Sequence, residues 1–143
     1  MNTHKSQILC VDSDPQTVGW ISHGLSMAGV VCEIETARSG REGFNLINER
    51  RFDLCILEYA LPDMTGVQLC ALLRSMGRKL PMIFFTAMNR QVDRDKASAA
   101  GANEFISKPD DLEIFVDAVT HHLHKKRKII AEPLRFHNYA RAA

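Results

Sequence analysis

No run of apolar residues in this sequence approaches the ~20 needed to cross a bilayer. The polar opening Met1-Asn2-Thr3-His4-Lys5 is not a secretory leader either. A cytoplasmic protein with no membrane partner is the expectation. Cysteine is too sparse and too scattered for a framework: Cys10, Cys32, Cys55 and Cys70 show no Cys-x-x-Cys spacing, and three fall in expected strands. That pattern argues against a disulfide scaffold or a zinc ribbon and fits buried, reduced thiols. Aromatic residues make up 7% of the chain, with Trp20 the single tryptophan, so no aromatic platform for bases is present. Trp20 lies one turn before Gly24 and is expected to pack flat across it. Repeats and low-complexity segments are also missing.

An excess of one charge is lacking as well, since the formal net charge is +1. The balance is uneven along the chain, however. Residues 121–143 hold six Lys/Arg and one Glu, while residues 1–120 hold 12 basic and 16 acidic side chains. The run Lys125-Lys126-Arg127-Lys128 reads as a solvated helix end suited to the helix dipole. Nucleic acid is disfavoured as a partner because no reading helix accompanies this run. His121 and His124 share a helix face with no Cys or acid nearby to complete a metal site.

What is present describes one domain. The chain has 143 residues, 45% apolar and 24% charged, enough to bury a proper core. Ile8-Leu9-Cys10-Val11 is a first buried strand, followed by Asp12-Ser13-Asp14-Pro15, where Asp14 suits an N-cap and Pro15 the first helical turn. That helix runs to about Ala28, with Val18, Ile21, Leu25 and Ala28 at core spacing, and Gly29 closes it. Residues 30–36 form a second strand. Ser39 with Glu42 makes a capping box for a helix reaching about Arg50. Leu54-Cys55-Ile56-Leu57 is a third strand, short and continuous as strands covered on both faces are.

The chain then turns at Leu61-Pro62-Asp63 and re-enters a helix over 66–76, with Val67, Leu69, Cys70, Leu72 and Leu73 inward and Gly77 at its end. Residues 81–86 are a fourth strand, 90–100 a polar, Ala-rich helix closed by Gly101, and 104–107 a fifth strand. Asp110 with Glu113 caps a last helix whose apolar face is Leu112, Phe115, Val116, Val119 and Leu123. Alternating strands and helices in short connections imply an α/β, doubly wound, five-stranded parallel sheet with five helices. Residues 1–128 form this unit, and 129–143 a basic tail or linker stub.

In such sheets ligands sit at the carboxyl ends of the strands. Asp12, Glu58, Thr86 and Lys108 all fall there. An ammonium and a hydroxyl beside carboxylates form a set that recognises a phosphoryl or carboxylate group.

Over residues 6–125 this arrangement resembles the receiver domain of two-component response regulators, a flavodoxin-like fold. Separated motifs carry the resemblance in order. They are Ile8-Leu9-Cys10-Val11-Asp12, the loop Glu58-x-x-Leu61-Pro62-x-Met64-x-Gly66, Phe85-Thr86-Ala87, Ala100-Gly101-Ala102 and Lys108-Pro109. The resemblance implies a phosphorelay module whose partner is a sensor histidine kinase or another signalling protein. It also implies Mg²⁺ held by acids after the first strand and by a backbone carbonyl. Asp12 matches the first acidic residue, Thr86 and Lys108 the pair gripping the phosphoryl group, Phe105 the switch aromatic, and the Ala60 carbonyl the backbone metal ligand. A cis bond between Lys108 and Pro109 is implied too. The face formed by the fourth helix, fifth strand and fifth helix would meet a partner or a second copy.

Two positions depart from that pattern. Glu58 stands where the phospho-accepting aspartate belongs, and Ser13 where a second acidic metal ligand belongs. A metal set of Asp12, Glu58 and Ala60 therefore implies a weak or absent Mg²⁺ site, and Asp14 is better explained by capping than as a replacement. The extra methylene displaces the carboxylate by roughly 1.5 Å, enough to spoil in-line attack. Two readings of Glu58 stand: a charge that reaches Lys108 and biases the domain toward its active arrangement, or a neutral relic in a rigid scaffold. A weak phosphoacceptor is a further alternative. With no output domain in the chain, effects are expected to pass through partner binding. An enzyme is not expected. Asp12-Ser13-Asp14 is similar to the opening of haloacid-dehalogenase-type phosphatases, but Lys108 and Asp110 are too close together for that family's later acidic pair.

Overall fold

A computed structural model describes residues 5–108 and 111–125. Its elements, in chain order, are β1 (Ser6–Val11), α1 (Pro15–Met27), β2 (Cys32–Ala37), α2 (Gly40–Glu49) and β3 (Leu54–Leu57), then α3 (Gly66–Ser75), β4 (Met82–Thr86), α4 (Gln91–Ala100), β5 (Glu104–Ser107) and α5 (Leu112–Lys125). The strands form one parallel sheet in the order β2-β1-β3-β4-β5. No described helix is long and apolar enough to cross a membrane. The expected cis bond at Lys108-Pro109, the Asp110 cap, the basic run after α5 and the tail lie outside the described residues.

The three central strands are buried almost throughout, and β3 is apolar at every position, because helices cover both faces of the sheet. Leu9, Val11, Cys55, Leu57, Met82, Phe84 and Phe105 point to the side of α2, α3 and α4. Ile8, Cys10, Leu54, Ile56, Ile83, Phe85 and Ile106 point to the side of α1 and α5. At ~25 cal/mol per Å² of apolar surface, these two layers dominate the stability. All four cysteines are free thiols; Cys10, Cys55 and Cys70 are buried, whereas Cys32 on the edge strand β2 is half-exposed. Burial pushes the Cys10 thiol up to about 12, with the Asp12 carboxylate adding to the effect.

Several local expectations need correction. Gly24 faces α5: a Cβ there would lie 3.2 Å from Val116 and 3.4 Å from Leu112. The glycine lets α1 and α5 approach closely. Ala28 and Leu72 are exposed despite their apolar spacing, and Thr17, in the first turn of α1, is buried instead. The helix after the second strand is capped by Ser39 as expected, but Glu42 reaches back to the Arg38 N–H at 2.7 Å rather than to that of the cap residue. Gly29, Gly77 and Gly101 end α1, α3 and α4 with positive φ.

Candidate functional site

Parallel strands deliver their last residues to one edge, and there the chain gathers Asp12, Glu58, Thr86 and Lys108. Lys108 stands at the centre. Its Nζ lies 3.0 Å from Asp12 Oδ2 and 2.8 Å from Glu58 Oε1, and it donates to Thr17 Oγ1 at 2.9 Å. The lysine and both acids are nearly buried, with side-chain exposures of 10%, 4% and 13%. Burial works against the ammonium, but the bonds and charges of Glu58 and Asp12 together outweigh it and hold the Lys108 pKa above its ordinary value.

Glu58 uses its second oxygen as fully as its first. Oε2 accepts the Thr86 hydroxyl in a short hydrogen bond and the Tyr59 N–H at 2.6 Å, with the Ala60 N–H at 3.4 Å. Asp12 is similarly committed, because Oδ1 accepts the Asp14 N–H at 2.9 Å while Oδ2 takes Lys108. Thr86 Oγ1 in turn accepts from the Met88 N–H at 3.2 Å.

The other expected residues divide clearly. Ser13 is exposed, and Asp14 caps α1 by accepting the Gln16 N–H at 2.9 Å, so neither belongs to the cluster. The Ala60 backbone pairs with Thr65 across the β3–α3 loop. Phe105 is turned into the apolar layer beneath the site, stacked on Phe84 at 5.8 Å and edge-on to Tyr59 at 6.4 Å. The Arg94 guanidinium caps its ring at 4.9 Å. His122 is buried on α5 with Nε2 3.0 Å from Glu104 Oε2, and its ring meets that of His121 edge-on at 5.1 Å.

Thr17, Tyr59 and Asp93 escaped the sequence reading. Thr17 had a signal in retrospect, since a polar residue in the first turn after Asp12 faces the same strand edge. Asp93 had none, because a carboxylate in a polar helix is ordinarily solvated. Here it is buried and held by Arg90, Nε to Oδ2 at 3.0 Å and Nη2 to Oδ1 at 3.2 Å.

A bound Mg²⁺ needs several oxygen ligands, carboxylates foremost. The two acids present spend all four oxygens on donors of this chain, and the Lys108 ammonium sits between them where a bridging cation would go. No group of three or more His, Cys, Asp or Glu placed for a metal occurs among the described residues. The donor set does not fit Mg²⁺ as it stands.

The fold and the strand-edge cluster agree with what comparison shows. Residues 8–120 match the response regulator receiver domain, and the chain belongs to that family. It is 35% identical to the probable transcriptional regulatory protein SilR of Salmonella typhimurium over 103 residues, 72% of this chain and 44% of that one. It is 30% identical to the transcriptional regulatory protein PcoR of Escherichia coli over 121 residues, 85% of this chain and 53% of that one. The chain thus spans about half the length of the curated relatives it matches. Among solved structures, a two-component response regulator from Clostridium difficile superposes with a TM-score of 0.77 at 26% identity, covering 87% of this chain and 100% of that one. A response regulator from Chloroflexus aurantiacus gives 0.76 at 28% identity, covering 85% and 99%. The chain is a receiver domain of two-component signalling.

Proposed function

We propose that this receiver works in the cytoplasm by binding other proteins, with Glu58 supplying permanently the negative charge that a phosphoryl group would bring. One observation carries the reading. The Glu58 carboxylate is held at once by the lysine, the hydroxyl and a backbone N–H of the strand-edge set. Those are the kinds of donor that grip a phosphoryl group, and here the side chain itself satisfies them. Phe105 is inward, as the active arrangement of the family would have it. Residues 1–128 act as the receiver and 129–143 as a basic extension. The partner is a sensor histidine kinase or another signalling protein. The role named for the relatives, transcriptional regulation, belongs to chains about twice as long.

The alternative of a neutral relic is separated by Glu58→Gln, which keeps shape and removes charge. The expected result is a loss of the Lys108 and Thr86 contacts, seen as shifts of the Thr86, Ala87 and Phe105 amides and faster hydrogen exchange in β5 and α4. A spectrum confined to changes at residue 58 itself would mean that the charge biases nothing.

A further inference from the structure

A protonated lysine carries three N–H donors and no acceptor, and Lys108 meets one acceptor for each. They are Asp12 Oδ2 at 3.0 Å, Glu58 Oε1 at 2.8 Å and Thr17 Oγ1 at 2.9 Å. The Phe85 ring adds a cation–π contact, its centroid 5.9 Å from Nζ. Thr17 is the unexpected member of this set. It heads the buried stripe Thr17, Ile21 and Leu25 of α1 and is itself 1% exposed. Packing alone would place an aliphatic side chain there, and a hydroxyl so buried is tolerated only when hydrogen-bonded. Lys108 supplies that bond. Asp12 and Glu58 therefore converge on a positive charge as metal-binding carboxylates do, but the charge is covalently part of the chain. A divalent ion entering between them would have to displace the ammonium. No third acid is at hand to compensate, since Ser13 is neutral and exposed and Asp14 caps α1.

We propose that the Lys108 ammonium is the resident cation of this site, standing in for a divalent ion, and that Thr17 is the positioning residue that keeps it there. This deepens the reading of Glu58 given above and rests on it. A glutamate whose charge is balanced from within needs neither a phosphoryl group nor Mg²⁺ to keep its arrangement. The acids approach from the ends of β1 and β3 and the threonine from α1, so three elements hold Nζ in place. The arrangement of the site is thereby independent of the divalent-cation concentration around it.

The test titrates the ¹⁵N-labelled full chain with Mn²⁺, which broadens amides near a bound ion, and follows thermal unfolding in millimolar Mg²⁺. Wild type is expected to show no broadening at Asp12, Ser13, Tyr59 or Ala60 and no change in Tm. Lys108→Met leaves two facing carboxylates without their cation, so it gains broadening at those amides and a Tm that rises with Mg²⁺. Adding Glu58→Gln to Lys108→Met abolishes the gain. Should Lys108→Met fail to fold, Lys108→Gln keeps a donor, removes the charge and is read by the same criteria. The part of Thr17 is read on the Lys108 ¹⁵Nζ signal. Thr17→Val should speed exchange of its N–H protons roughly tenfold, as the loss of one bond would. Thr17→Ser, and Ile21→Val in the same stripe, should leave that exchange unchanged. Broadening of the strand-edge amides in wild type, or none in the Lys108 variant, overturns the tethered cation and leaves the reading of Glu58 intact. Exchange in Thr17→Val equal to wild type, or matched by Ile21→Val, removes Thr17 from the positioning role. A Glu58→Gln spectrum changed only at residue 58 removes the reading of Glu58 itself, whichever way the Mn²⁺ titration falls.

Discussion

The methylene that separates glutamate from aspartate lengthens the side chain by roughly 1.5 Å. At position 58 that reach brings one oxygen to Lys108 and the other to Thr86 and Tyr59. Lys108 is then the counter-charge for two nearly buried acids. Removing it leaves both carboxylates facing each other in a poorly solvated site. Lys108→Met is therefore expected to destabilise by about 3 kcal/mol. Lys108→Met/Glu58→Gln should recover part of that loss, because one of the repelling charges is gone. Denaturant unfolding of the single and double variants checks both statements.

Among the elements, the β3–α3 loop decides where Glu58 and Tyr59 sit, and it is pinned at two places. Asp63 spans to the start of α2, its oxygens accepting the Gly40 and Arg41 N–H groups at 2.8 and 2.9 Å. Those bonds hold the Asp63 pKa below its ordinary 3.8. A depressed folded-state pKa means stability that is present above the unfolded value and lost as pH falls through the folded one. Asp63→Asn should accordingly flatten the acid limb of the stability–pH profile below about pH 4, while lowering stability at neutral pH. At the other end, Gly66 lets the loop fold back on β3. A Cβ there would collide with the Glu58 carbonyl oxygen and lie 2.9 Å from the Phe84 ring. Because one obstacle is backbone, Gly66→Ala should cost about 2 kcal/mol or more, measured by the shift in unfolding midpoint.

At the scale of the whole molecule, the strands were the legible part. Strand β3 and strand β5 were bounded to the residue, since a parallel strand buried on both faces is a bare apolar run between polar ends. The strand-edge set Asp12, Glu58, Thr86 and Lys108 followed from that topology, because the rule on strand ends needs no side-chain geometry. Contacts joining distant parts of the chain were not legible. Thr17 meets Lys108 across 91 residues, and Glu104 meets His122 from β5 to α5. Buried Asp93 shows the limit most plainly, because nothing in a polar, Ala-rich helix marks which carboxylate will be buried. Leu72 erred the other way: an apolar spacing wider than the sheet could cover left it 42% exposed.

A strand-edge site already filled by its own glutamate has no room for a phosphoryl group. Intact mass after incubation with acetyl phosphate and Mg²⁺, comparing wild type with Glu58→Asp/Ser13→Asp, tests this directly. The prediction is no phosphoryl group on the wild type and one on the double variant, whose shorter acid leaves Lys108 and Thr86 free and whose added carboxylate completes a metal site. An acid-stable, base-labile phosphoryl group on the wild type would contradict it and make Glu58 a working acceptor.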